Sequence, residues 1–274
     1  MSDVTKNTDD NQPNKNQSNK DTSDKKHVLK DSSHILITGA TSGIGKQLAT
    51  DYLKAGHNVY AVGRDEDALA ELETLGATSI NVDLMDRDKV KAAFAPIETI
   101  DVAICGAGMC EYLDMPDFDS EVLMKVMSVN IGTLAHAIDA VLPKLIASKG
   151  RLVGIGSASA YVPFARAEAY GSSKAAIHYL MKTLQISLAP HDVAVSLVAP
   201  GFVETPMTKQ NDFPMPFLQT PEQASRAIRE GIEHGDEVIE FPKKLTLPLK
   251  TLGALPDLVW QQVSEKINRK KNDK

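Results

Sequence analysis

The stretch His34-Ile35-Leu36-Ile37-Thr38-Gly39-Ala40-Thr41-Ser42-Gly43-Ile44-Gly45 decides how this 274-residue chain is read. Its first half is a short apolar run with β-branched residues, the pattern of a buried strand. Its second half is a glycine-rich turn, and Ile44–Ala55 continues with helical spacing. Glycines allow a tight turn and let backbone N–H groups approach a pyrophosphate. The following helix then presents its unpaired donors and positive dipole end to that negative charge. Gly39, Thr41, Ser42, Gly43, Ile44 and Gly45 are therefore the candidate phosphate-binding residues. A glycine-rich turn alone also fits an ordinary strand–helix loop; the strand before it and the helix after it strengthen the phosphate reading.

Working outward, strand and helix patterns alternate. Asn58–Val62, Ser79–Val82, Asp101–Cys105, Arg151–Ile155, Val193–Val198 and Glu237–Phe241 read as further strands. Asp65–Leu75, Asp86–Ala95, Ser120–Ser148, Glu168–Ala189 and Pro221–His234 read as helices. Such alternation predicts an α/β fold: one doubly wound, Rossmann-like parallel sheet of about seven strands, helices on both faces, right-handed crossovers, one domain.

Hydrophobic residues make up 42% and charged residues 24%, which excludes collagen, coiled coil and a wholly disordered chain. A core of this size needs neither disulfide nor metal. No run approaches the length of a membrane span, and no apolar signal segment opens the chain. Cys105 and Cys110 then read as reduced thiols of a cytoplasmic protein, and with no histidine near them no metal site is expected. Residues 1–33 are polar and predicted to be disordered. The net charge of −6 divides unevenly: zero over 1–33, +5 over 241–274 and −11 over the body. An acidic body argues against nucleic acid as a partner.

Gly63 follows the second strand, where NAD-binding folds place a carboxylate on the ribose 2′-hydroxyl. Here no acid opposes a 2′-phosphate, and Arg64 follows with a guanidinium, which favours NADP over NAD. Against this, Arg64 also fits a solvated surface residue with Asp65 competing for its charge. Asp83 after the third strand suits either the adenine amino group or a turn or helix cap. Tyr170 and Lys174 stand four apart on one predicted helix face, and an ammonium there would lower the phenol pKa. Chance supplies such a pair often enough that a plain surface pair is the alternative. Ser157 follows a strand end, where α/β sheets bind ligands, with Ser159 as its rival. Asn130 interrupts the helical stripe of Leu123, Met127, Leu134, Ile138 and Val141. A buried amide there either satisfies local backbone or holds a water that joins Lys174 to solvent.

Taken together these residues resemble the short-chain dehydrogenase/reductase family, one-domain branch, from about His34 to Phe241. The motifs fall in order: T-G-x-x-x-G-x-G at Thr38–Gly45, Asp83, Asn130, Ser157, Y-x-x-x-K at Tyr170 and Lys174, and P-G-x-x-x-T at Pro200, Gly201 and Thr205. Two departures stand out. The family's Asn-Asn-Ala-Gly is Cys105-Gly106-Ala107-Gly108 here, and a basic residue often found before the second glycine is Ser42. The resemblance implies hydride transfer between NADP(H) and a carbonyl or secondary alcohol. Tyr170 would be the proton donor, Lys174 would lower its pKa and bind ribose, Ser157 would polarise the carbonyl and Asn130 would support a proton relay. It also implies Ala107 and Gly108 at the ribose, Pro200, Gly201 and Thr205 at the nicotinamide end, and a homodimer or homotetramer.

Residues 202–218, with Phe202, Val203, Met207, Phe213, Met215, Phe217 and Leu218, read as a substrate loop, with Tyr161 and Phe164 facing the same pocket. This suggests an apolar or lipid-like substrate; packing of the loop onto the body is the equal alternative. The basic, leucine-rich extension 242–274 is expected to pack on the body or on a subunit; peripheral contact with an anionic membrane surface is the alternative. The competing functions are an NADPH-sensing regulator without turnover and a membrane-surface protein on the same fold.

Overall fold

A computed structural model describes residue 29, residues 31–256 and residues 258–264. The elements are β1 (His34–Thr38), α1 (Gly43–Lys54), β2 (Asn58–Gly63), α2 (Glu66–Thr74), β3 (Thr78–Asn81), α3 (Arg87–Phe94), β4 (Val102–Cys105), α4 (Ser120–Ser148), β5 (Arg151–Ile155), α5 (Glu168–Leu188), β6 (Ala194–Pro200), α6 (Pro221–His234), β7 (Val238–Phe241) and α7 (Lys243–Gly253). The expected boundaries hold to within one or two residues. Two of the shifts have a direct cause: Asp65 and Asp86 cap α2 and α3 from outside by accepting from Ala68 N and Lys89 N.

All pairings are parallel, in the order β3-β2-β1-β4-β5-β6-β7. Alternate residues of β1 point to opposite faces. Leu36 joins the core under α3, α4 and α5, with Val90, Leu134, Val141 and Met181. Ile35 and Ile37 join the core under α1, α2 and α6, with Leu48, Leu72 and Ile228. Both faces are thus covered, which is why β1 and β4 read as continuous apolar runs. The strand order reverses between β1 and β4, and a crevice opens beyond their carboxyl ends.

By length and composition, α4 is apolar enough to cross a membrane, although it contains no long unbroken apolar run. Its stripe of Val126, Leu134, Ala137, Val141 and Leu145 is buried in the body.

The described residues that flank the sheet pack back on the body. Leu29 lies against the α1-side core, and Asn58 Nδ2 donates to Ser32 O at 2.8 Å. The remainder of the polar leader, 1–28 and 30, lies outside the described residues. In the basic extension α7 packs on β7, and a Cβ on Gly253 would lie 2.1 Å from the Tyr161 carbonyl oxygen. Trp260 Nε1 donates to Pro163 O at 2.6 Å and its ring meets Phe164 edge-on at 5.4 Å. Lys243, Lys244, Leu247, Leu255 and Leu258 of this segment are exposed.

Ile104 sits fully buried in β4 at the reversal point. Ile104→Ala should cost about 2–5 kcal/mol and Ile104→Val about 0.5–1.5 kcal/mol, read from urea midpoints at unchanged slope.

Candidate active site

The carboxyl ends of β1, β4, β5 and β6 border a cleft of about 170 Å³. One wall is the glycine turn. Gly39 has φ of +71°, and a Cβ on it would lie 2.9 Å from Ala107 N; a Cβ on Gly45 would lie 2.2 Å from Gly39 O. Ser42 is the N-cap of α1 but makes no side-chain cap bond, and no acidic side chain stands in the first turn. The first N–H groups of α1 are therefore left without a side-chain acceptor at the cleft. Across from them, the Thr38 hydroxyl accepts from Gly106 N at 3.1 Å and from Ala107 N at 3.3 Å. This one hydroxyl fastens the loop where the expected asparagine pair is missing.

Gly39, Ser42, Gly43, Ile44, Gly45, Ala107, Gly108, Ser157, Tyr170, Lys174, Pro200, Gly201 and Thr205 all line the cleft. Thr41, Arg64, Asp83 and Asn130 are not part of its lining. Thr41 turns to β2, where a Cβ on Gly63 would lie 2.3 Å from its methyl group. An acid at position 63 has no room in this arrangement. Arg64 is exposed and makes no ion pair or side-chain hydrogen bond among the described residues, while Asp65 is engaged as a cap. Asp83 takes its turn role, accepting from Met85 N at 3.0 Å. Thr205 packs on the phosphate turn, its methyl 2.8 Å from a Cβ built on Gly43.

The polar centre comes from β5 and α5. Ser157 is the extended residue that opens the 3₁₀ turn Ala158–Ala160, and its Oγ accepts from Ser159 N at 3.1 Å and Ser159 Oγ at 3.0 Å. Of the two rivals, Ser157 alone lines the cleft. Burial pushes the Tyr170 phenol up to about 12; the nearby Cys110 thiol adds to this, and a hydrogen bond with the Ser157 hydroxyl acts the other way. Burial pushes the Lys174 ammonium down to about 8. Its Nζ donates to Ile155 O at 3.0 Å and stands 5.6 Å from the Tyr170 ring centroid. Burial sets the direction of the Tyr170 shift, and Lys174, its ammonium turned toward a backbone carbonyl, is not among its causes.

Asn130 clamps one residue through both of its peptide groups. Its Oδ1 accepts from Met109 N at 2.7 Å, and its Nδ2 donates to Met109 O at 3.0 Å and Ser173 Oγ at 2.8 Å. Both amide hydrogens are spent on protein groups, which is the local-backbone reading of the interrupted stripe.

Toward the open end, Val203, Pro206, Met207 and Thr208 complete the lining. Phe202 and Tyr112 meet Phe213 edge-on, and Tyr112 OH donates to Asn211 Oδ1 at 2.6 Å. Arg166 joins two loops by bonding Asp114 at 2.6 Å and Asp212 at 2.7 Å. Tyr161 and Phe164, expected at this pocket, turn away to Glu240 and Trp260. Cys110 and His178 went unpredicted. Nothing in the pattern marks Cys110, whereas His178 stands two helical turns after Tyr170 on the same face, a readable signal.

The family model described as short chain dehydrogenase matches residues 33–214. This chain belongs to that family. An uncharacterized oxidoreductase of Myxococcus xanthus is 30% identical over 243 residues, covering 85% of this chain and 96% of the relative. The 11-beta-hydroxysteroid dehydrogenase-like 3 protein of Arabidopsis thaliana is 32% identical over 242 residues, covering 82% of this chain and 78% of the relative. A short-chain dehydrogenase from Burkholderia cenocepacia, solved in complex with NADP, superposes with a TM-score of 0.75 at 24% identity, covering 82% of this chain and 94% of that one. Membership of the short-chain dehydrogenase family makes this chain an oxidoreductase of that family.

Lys174 gives a pH signature. Its folded pKa of about 8 lies below the ordinary lysine value, so between the two the unfolded chain binds more protons. Stability contributed by this group should rise as pH climbs through that window. Lys174→Met should remove the rise, read as the difference in urea midpoint between pH 7.5 and 9.5 in the two proteins; an equal rise in both would refute it.

Proposed function

We propose that this chain reduces a neutral, apolar carbonyl compound with NADPH. The observation that carries the reading is the Tyr170 phenol, pushed up by burial, sharing a glycine-lined cleft with Ser157 and Lys174. A phenol held at about 12 keeps its proton at neutral pH, which suits donation to a carbonyl oxygen better than abstraction from an alcohol.

The cleft fits a dinucleotide. Side chains are barred at Gly39 and Gly45, and the N-terminus of α1 has free donors where a pyrophosphate would sit. When bound, NADPH supplies the hydride for the carbonyl carbon. The chain's own groups do the rest. The Ser157 hydroxyl holds and polarises the carbonyl oxygen, and Tyr170 delivers the proton that makes the alcohol. Lys174 is the residue that would hold ribose hydroxyls. The Asn130 clamp keeps the Met109 peptide, and with it Gly108, in position. Pro200 and Gly201 close the nicotinamide end.

NADP rather than NAD is supported by the free guanidinium of Arg64, by the lack of room for an acid at Gly63, and by the NADP in the Burkholderia relative. The substrate class is supported by the neutral lining of Val203, Pro206 and Met207, and by the Arg166 guanidinium being engaged by two carboxylates. The hydroxysteroid name of the Arabidopsis relative points the same way. Assembly as a homodimer or homotetramer through the outer face of α4, where Met124 is exposed, belongs to the same reading.

A panel of aldehydes, ketones and long-chain carbonyls read at 340 nm tests the activity. Tyr170→Phe should lower kcat by at least about 10²-fold with NADPH still bound, and near-normal turnover in that variant overturns the assignment. Arg64→Ala should raise KM for NADPH by about ten-fold or more and leave NADH unaffected; wild-type use of NADH alone would sink the NADP assignment.

A further inference from the structure

Four residues outside the cleft lining run from the C-terminal helix to the back of Ser157. Lys250 Nζ on α7 donates to Glu240 Oε1 on β7 at 2.8 Å. The same carboxylate accepts from Tyr161 OH. The Tyr161 ring meets the His178 ring edge-on, with centroids 5.4 Å apart and planes at 74°. His178 Nε2 in turn accepts a long hydrogen bond, 3.4 Å, from the backbone N–H of Ser157. The approach is tight enough to dictate the sequence: a Cβ on Gly156 would lie 2.6 Å from His178 Nε2.

We propose that this chain of contacts is a strut through which α7 positions Ser157 for catalysis, with His178 as its working end. The proposal rests on the reductase reading of Ser157 and Tyr170. Neither His178 nor Tyr161 lines the cleft, so both act through Ser157 as positioning residues. An acceptor at Nε2 requires the neutral imidazole with its proton on Nδ1. Burial supplies that state, pushing His178 down to about 4, with the ammonium groups of Lys182 and Lys174 acting in the same direction. At the other end, burial raises the Glu240 carboxyl, but the bonds from Lys250 and Tyr161 outweigh it and hold the group below its ordinary value. A carboxylate fixed from both sides fixes the Tyr161 ring, and the ring edge limits how far the imidazole can tilt. The strut also reaches the other side of the cleft, because Phe241, next to Glu240, accepts from Gly201 N at 2.7 Å. The C-terminal helix lies beyond residues 33–214, the part matched by the family model.

The test compares His178→Leu, which removes the acceptor, with His178→Gln, whose amide oxygen can reach the Nε2 position. Amide hydrogen exchange at Ser157 reads the strut without needing turnover, since the neighbouring Gly156 N–H is held separately by Val198 O at 2.8 Å. In His178→Leu the Ser157 amide should exchange about ten-fold faster and kcat should fall about ten-fold, with KM for NADPH unchanged; His178→Gln should recover most of both. Lys250→Met should shift both in the same direction by a smaller factor. Unchanged exchange or unchanged kcat in His178→Leu overturns the proposal, as does a glutamine variant no better than leucine in a protein that keeps its Tm. A wild-type protein that turns over no carbonyl overturns the reductase reading and the catalytic role with it, while exchange still decides whether the strut exists.

Discussion

The backbone of β1 and the loop after β4 touch at Gly39. The contact leaves no space for a Cβ, and the Thr38 hydroxyl fastens it by accepting from two successive N–H groups of that loop. Because the strand order reverses between these two strands, the contact forms the base of the crevice rather than a point inside a helix-covered face. The positions of the other groups follow from it. The α1 N-terminus rises from one side, Gly108 and the Asn130 clamp lie on the other, and β5 next in line carries Ser157. A side chain at Gly39 would separate the strands and move all of these groups at once.

The same crowding sets the chemistry. Tyr170 and Lys174 ride one turn apart on α5, and burial drives them in opposite directions, the acid toward its protonated form and the base toward its unprotonated form. Both shifts lower the charge of a dry cleft. An anionic ligand there would favour the ammonium again, because an opposite charge within a few ångströms outweighs part of the desolvation. The spacing of the pair therefore says which groups meet, but their protonation states depend on what else fills the space.

This explains how far the sequence could be read. The strand–turn–helix unit was legible because glycine positions and apolar period are local properties. Tyr170 and Lys174 were legible because a helix fixes which side chains share a face. The choice between Ser157 and Ser159 was not, since two residues in one turn differ only in direction. Asn130 meets Met109 across 21 positions, and the Tyr161 hydroxyl meets Glu240 across 79, so neither partner leaves a trace in spacing. Tyr161 was placed at the pocket because it stands between Ser157 and Tyr170; a carboxylate on β7 turns it the other way. Arg64 illustrates the reverse limit. Its location after β2 was evident, but the reason that no acid precedes it, the Thr41 methyl over Gly63, required the fold.

The two ends of the charge distribution now separate by role. Several surface charges are paired among themselves: Arg166 with Asp114 and Asp212, Lys125 with Glu111, and Lys250 with Glu240. Exposed pairs of this kind contribute little to stability. The Ser157 and Tyr170 hydroxyls line the cleft, whereas Arg64 stands outside its lining. Under the proposed function a carbonyl oxygen would meet the first two and a phosphate the third, so substrate choice, in the 202–218 loop, and cofactor choice, at one exposed side chain, could change independently while the Gly39 contact stays fixed.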